Sequence, residues 1–253
     1  MKTKNIKETD LRNLIGCGAE GRVFLLENGD ACKIFYDGTQ IENKIKKLKF
    51  IKDLEMYNIA NPKEIVTMDK NIVGYTMDYI LYDDKLNRYL ESDHPLDYKI
   101  EYLKQLEDLM KELHFNNITM VDTMYHNFLI SNENLYGIDV DNYYVNGLKN
   151  NVAPFAVYDL YIDNVSTKIN SDLDKFSNLI FMLHHLVENS FELETIYKNY
   201  DYLKKFVNSL IITKNLKELF LEILSDSVNK PYLEDEIDEL LEYDDTYIKR
   251  KIL

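Results

Sequence analysis
Gly16, Gly18 and Gly21 stand at the spacing G-x-G-x-x-G in "GCGAEGRV", with Val23 two places on. Lys33 follows in "ACKIF", and Asp122, Asn127 and Asp139 come far downstream. A loop without side chains brings backbone N–H groups close to anionic oxygens. A lysine among Ala31, Ile34 and Phe35 either snorkels to the surface or pairs with phosphates as a point charge. An Asp that orients a hydroxyl, with Asn and Asp oxygens for magnesium, a hard cation, completes the requirements of phosphoryl transfer. Taken singly, each has a plainer reading, as a Gly-rich hairpin or as turn-forming Asn and Asp. Their order along the chain favours the chemistry: Asp122 to orient the hydroxyl, Asn127 and Asp139 for magnesium, Lys33 for phosphates.

These residues need elements to hold them. "LRNLIG", "RVFLLE" and "ACKIFY" read as three antiparallel strands over 11–36, with "NGD" at 28–30 as a tight turn. Strand-like alternation after the glycines, in place of a helix, argues against a dinucleotide-binding βαβ turn. "TQIENKIKKLKFIKDLEMY" has Ile41, Ile45, Leu48 and Ile51 at helical spacing. Its Glu42, with Glu55 as the alternative, is the acid expected to hold Lys33. "EIVTMDKNIVGYTMDYI" reads as a hairpin turning at Asp69-Lys70-Asn71. The first 80 residues therefore predict a five-stranded antiparallel sheet and one helix. Beyond "MDYILYDD" the texture turns helical: "LDYKIEYLKQLEDLMKELHF" is amphipathic, "NFLISNENLYGIDV" gives two short strands, and "DLDKFSNLIFMLHHLVE" is apolar nearly all round. The expectation is an α+β chain with units at 1–80 and 81–253.

Bulk properties narrow the classes. Apolar residues make up 45% of 253, enough for a core. The net charge of −14 argues against a nucleic-acid partner, and it resides wholly in 81–253, where it is either a solvated surface or a field for a cationic substrate. No run is apolar enough for a membrane helix or a signal peptide. Two cysteines, Cys17 and Cys32, give no disulfide framework, so a reduced, cytoplasmic setting is expected.

At this point the chain resembles the protein kinase family over about residues 10–240. "GCGAEGRV" looks like its nucleotide-covering loop and "ACKIF" its phosphate-lysine strand. "YTMDYI" resembles the hinge, with Met77 as gatekeeper and Asp78 to Ile80 offering backbone bonds to adenine. The stretch from Leu113-His114 to "ITMVDTMYHNFLI" resembles the catalytic loop, "IDVD" the metal segment, and Asp174 the acid that braces the loop backbone. The resemblance implies a two-lobed fold with Gly16, Gly18, Gly21, Val23, Ala31, Lys33, Glu42, Met77, Asp78 and Ile80 around ATP. It implies catalytic Asp122, Lys33 and Asn127, with Mg2+ on Asn127 and Asp139.

The chain departs from that pattern at several places. His-Arg-Asp is Met120-Val121-Asp122, which leaves no basic pocket for a phosphorylated activation loop. The lysine usual two places on is Met124, with His126 nearby. Phe and Gly of the metal segment are Val140 and Asp141, the latter read as a turn residue in preference to a second metal ligand. "APFAVYDLYID" matches Ala-Pro-Glu poorly. Three functions remain open: a Ser/Thr protein kinase, a kinase-like enzyme acting on a small, cationic hydroxyl compound, and a nucleotide-binding pseudokinase that scaffolds or regulates. Elsewhere, Lys44, Lys46, Lys47, Lys49 and Lys52 read as the wet face of a helix, and His184-His185 as core or groove residues, not ligands, with no partner acids at metal spacing. "EDEIDELLEYDD" reads as a terminal acidic helix with Ile237, Leu240 and Leu241 on one stripe.

Overall fold
A computed structural model describes residues 1–145, 147–148, 156–187, 200–233, 236–242 and 247–251. The chain is α+β, and among these residues it has seven α-helices and a six-stranded sheet. It divides into two compact units: Met1–Tyr82 with Tyr136–Asn151, and Asp83–Leu135 with Val152–Leu253. The segment carrying Asp139 therefore belongs with the strands of the first unit, not with the helices.

The first unit is built on β1 (Lys2–Asn5), β2 (Asn13–Cys17), β3 (Gly21–Leu25), β4 (Ala31–Phe35), β5 (Pro62–Met68) and β6 (Asn71–Met77), in the order β1-β5-β6-β4-β3-β2. Five of these strands were expected; β1 was not. It is the four-residue polar segment "KTKN" at the sheet edge, without apolar alternation, and it pairs parallel to β5. The sheet is therefore six-stranded and mixed, where five antiparallel strands were predicted. The hairpin turns fall where the sequence placed them. Gly29 has φ +85° between β3 and β4, and Asp69 and Lys70 have φ of 48° and 68° between β5 and β6.

The two faces of the sheet do different work. One packs Cys32 and Val66 with Ile6 and Leu26, closed by Ile34 and Met68. The other carries Ala31, Lys33 and Phe35 of β4 and their β6 neighbours Tyr75 and Met77. Helix α1 (Ile41–Asp53) buries Ile45, Leu48 and Ile51. Gly21 of β3 and Gly74 of β6 each face the backbone of β4 with no room for a side chain. A Cβ on Gly21 would meet the Ile34 carbonyl oxygen at 2.4 Å, and one on Gly74 the Lys33 carbonyl oxygen at 1.9 Å. Gly74→Ala is expected to cost about 3 kcal/mol or more in a urea unfolding titration, since backbone and not a movable side chain is in the way.

The second unit holds β7 (Asp84–Lys85), α2 (Leu86–Glu91), α3 (Leu96–Phe115), β8 (Ile118–Thr119), β9 (Phe128–Ser131), the start of β10 (Asn134–Gly137), α4 (Ala156–Asn164), α5 (Ser171–Leu186), α6 (Tyr200–Ser209) and α7 (Lys214–Ile223). Strand β7 pairs with β9, Asp84 opposite Ile130. The turn into β10 uses positive φ at Asn132 and Glu133. Helix α3 spans the amphipathic stretch to the residue. Helix α5 is buried along nearly its whole length, including Leu179, Ile180 and Leu183 at 0% exposure. The acidic terminal stripe differs from expectation. Ile237–Glu242 is a 3-10 turn, with Ile237 and Leu240 buried and Leu241 45% exposed, because the tighter winding rotates Leu241 off the stripe.

Glu107 of α3 is buried against Asn178, whose amide donates to Oε1 at 3.1 Å. Burial pushes its carboxyl up to about 7 from 4.5, ahead of the lowering by a Leu233 backbone hydrogen bond and Lys111. The native state thus binds a proton between pH 4.5 and 7 that the unfolded chain has released. Stability from this group is complete below pH 4.5 and is lost as pH rises through 7. Glu107→Gln is expected to match the wild type at pH 4 and to exceed it by about 2–3 kcal/mol at pH 8 in chemical denaturation.

Candidate functional site
In the first unit, Lys33 points from the middle of β4 and is only 4% exposed. A buried ammonium needs charged partners, and two carboxylates supply them. Lys33 Nζ donates to Asp139 Oδ1 and, at 2.7 Å, to Asp141 Oδ1. Asp141, with no exposed surface, also accepts from the Tyr75 hydroxyl at 2.8 Å and from Lys44 Nζ at 2.8 Å. Lys44 completes its three donors with Asn142 Oδ1 at 2.7 Å and Glu20 Oε2 at 2.7 Å. The Asn142 amide returns a hydrogen bond to Asp139. The network thus ties the glycine loop, β4, β6, α1 and the 139–142 turn into one polar cluster.

Its charge states follow from this geometry. Burial opposes the Lys33 charge, but Asp141 and then Asp139 outweigh it and hold the ammonium above its usual pKa. Burial likewise opposes ionised Asp141, and Lys33 and Lys44 overcome it, keeping the carboxyl well below the usual range. Lys47, 1% exposed, is lowered to about 8 by burial and then by Lys44. Asp139 is the more open member, its side chain 30% exposed. Its backbone is left-handed at φ 63°, ψ 33°, a conformation Asp tolerates, and there it opens a 3-10 turn.

Several expectations change here. Glu42 lies in the first turn of α1 with its side chain in solvent, and Glu55 is exposed past the helix end. The acids that hold Lys33 come from the 139–141 segment instead. Asp141 is a buried ionic hub and not a simple turn residue. The basic run is not one wet face: Lys46 and Lys49 are exposed, Lys44 and Lys47 are buried, and Lys52 donates to the Lys63 carbonyl at 2.7 Å. Lys44 falls between Ile41 and Ile45 on the apolar stripe, the one signal in the sequence for its burial. Glu20, Tyr75 and Asn142 carried no such signal, since their partners are distant in the chain.

The glycines separate by role. Gly21 is demanded by the neighbouring strand, as described above. At Gly16 and Gly18 a Cβ would meet nothing nearer than 3.8 Å and 3.9 Å, so the fold itself does not demand glycine there. Val23 lies opposite Lys33, and Ala31 opposite the buried Met77, across adjacent strands. The Asp78 amide already donates to the Asn61 carbonyl at 3.1 Å, and its carboxylate pairs with Lys63 at 2.8 Å. Among the hinge residues, Tyr79 is exposed and Ile80 half-buried.

In the second unit, Asp174 near the start of α5 is fully buried. Its carboxylate accepts from the Met120 amide at 2.6 Å, the Val121 amide at 2.8 Å, and sits 2.9 Å from His114 Nε2. Val121 has φ +67°, costly for a β-branched residue. The two amide hydrogen bonds that Asp174 accepts hold it there. That twisted backbone leads directly into Asp122, which is half-buried and accepts from the Met124 amide at 3.3 Å. Asn127 Nδ2 donates to the Asp122 carbonyl at 3.3 Å, which joins the two ends of the loop. His126 is exposed. Tyr125 anchors the loop through Asn178, at 2.7 Å to its Oδ1.

His185 does have an acid nearby, contrary to expectation. Its Nδ1 lies 2.8 Å from Glu91 Oε1, and ligand atoms of Glu91, His184 and His185 fall within 4.8 Å of one another. Burial and then His184 hold His185 at about 3, so the imidazole is neutral. No protein-family model matches this chain, and no curated protein matches it. No helix among the described residues is long and apolar enough to cross a membrane.

Proposed function
We propose that the chain is a protein kinase-like, two-lobed phosphotransferase that moves the γ-phosphate of ATP, with Mg2+, to a hydroxyl group. The observation that carries this reading is the pairing of Lys33 with Asp139 beside a glycine loop, in one compact unit. An ammonium has three N–H donors. Lys33 uses two on Asp139 and Asp141, and the third remains for a phosphate oxygen. Asp139, the more exposed acid, offers carboxylate oxygen to a hard cation. The loop glycines that the fold does not require, Gly16 and Gly18, are understood if a ligand approaches them. Asp122 takes the role of hydroxyl-orienting base, and Asn127 that of the second metal ligand. The strained backbone braced by Asp174 supports a loop kept in one conformation for chemistry.

Ser/Thr side chains of a protein are the first choice of acceptor. A small cationic alcohol is the second, favoured by the acidic charge of 81–253 and the poor Ala-Pro-Glu match. Radiolabelled ATP with magnesium tests both, with the protein alone, with basic proteins and with small cationic alcohols. Label on protein supports the first acceptor; label only on a small molecule supports the second. ATP binding without transfer to any acceptor leaves a regulator and removes the enzyme reading. Gly18→Ala gives a separate check: thermal unfolding is expected within about 2 °C of wild type, with MgATP affinity reduced about tenfold in calorimetry.

A further inference from the structure
We infer that Lys44 is a second phosphate-binding lysine, and that Glu20 of the glycine loop holds its place until the nucleotide arrives. This rests on the nucleotide reading above and extends it to residues outside the kinase-like pattern. Lys44 has three acceptors, and they are not equivalent. Asp141 and Asn142 come from the same short turn as Asp139 and, unlike it, are buried. Glu20 comes from the loop between Gly18 and Gly21, and its side chain is 25% exposed. Its carboxylate therefore reaches Lys44 from the segment whose open glycines are suited to phosphate contact. A carboxylate in that position presents the same ligand atoms as a phosphate, two oxygens sharing negative charge.

Electrostatics calls for the exchange. A triphosphate carries more negative charge than one magnesium ion neutralises, so Lys33 alone leaves a deficit. Lys44 and Lys47 lie on the same helix, and both are buried against the cluster. If Glu20 stayed, its charge would add to the phosphates' own. If it leaves for solvent, Lys44 gains one free N–H donor while Asp141 and Asn142 keep its ammonium aligned. The loop backbone need not unfold for this, because Tyr36 N donates to the Glu20 carbonyl at 2.9 Å and Gly18 N to the Gly21 carbonyl at 2.9 Å. Only the Glu20 side chain has to turn.

The test is MgATP and inorganic triphosphate binding to the full chain by calorimetry, with unfolding temperatures in parallel. Glu20→Gln keeps the side-chain size and removes the competing charge; it is expected to tighten binding of both ligands about five- to tenfold. Lys44→Met is expected to weaken both by at least tenfold, and Lys44→Arg to restore affinity to within a few-fold. If wild type binds and Glu20→Gln binds equally or more weakly, the exchange is overturned and the nucleotide reading stands. If wild type and Glu20→Gln both bind neither ligand, the nucleotide reading itself falls, and this inference with it.

Discussion

Asp122→Ala is expected to lower the rate of phosphate transfer by about 10²- to 10⁴-fold at saturating MgATP, the range for losing a positioned base. Nucleotide affinity should stay within about twofold, because Asp122 belongs to the second unit, while the proposed phosphate contacts at Lys33 and the glycine loop belong to the first. Folding should also survive. The loop's brace is Asp174, whose bonds to Met120 and Val121 do not involve the Asp122 side chain. Single-turnover kinetics with separate equilibrium binding would read the two effects apart. A parallel loss of binding and rate would mean that Asp122 acts on the fold and not on the hydroxyl.

Asp141→Asn is expected to lower unfolding free energy by about 3–5 kcal/mol at pH 7. The amide leaves Lys33 and Lys44 buried with one full charge fewer between them, and breaking a buried pair from one side carries this cost. The loss should shrink as pH falls toward the range where wild-type Asp141 itself takes up a proton. The sign follows from its lowered pKa: stability from this carboxylate is present above the unfolded value of 3.8 and disappears as pH falls through the native one. Denaturation of wild type and variant at pH 7 and pH 3 would show the difference narrowing. A constant difference would assign the cost to packing instead.

Local features of the sequence translated well. The helical apolar spacing of the 20-residue "LDYKIEYLKQLEDLMKELHF" became α3, and "NGD" and the Asp69-Lys70 corner became turns, because each pattern acts within a few residues of itself. What did not translate depends on partners distant in the chain. Strand β1 has no apolar signature and exists because β5 offers it an open edge. Lys44 and Lys47 looked like solvent charges, and the 139–142 turn, about a hundred residues away, supplies two of the three acceptors that let Lys44 sit inside. Glu42 was assigned to Lys33 from its place beside the apolar stripe of α1, while one of the two acids that fulfil that need, Asp141, stood in the sequence as an apparent turn former. Asp174 was assigned as the brace of the 120–122 backbone only by the kinase resemblance, and its carboxylate does accept from the Met120 and Val121 amides.

The most direct measurement is a crystal structure of the full chain with magnesium and a non-hydrolysable ATP analogue. The expected result is a metal ion about 2.0–2.1 Å from an Asp139 carboxylate oxygen, a phosphate oxygen within hydrogen-bond reach of Lys33 Nζ, and the Gly16–Gly21 loop over the phosphates. A saturated crystal in which Lys33, Asp139 and Asp141 keep their mutual contacts, with neither metal nor phosphate beside them, would contradict the account.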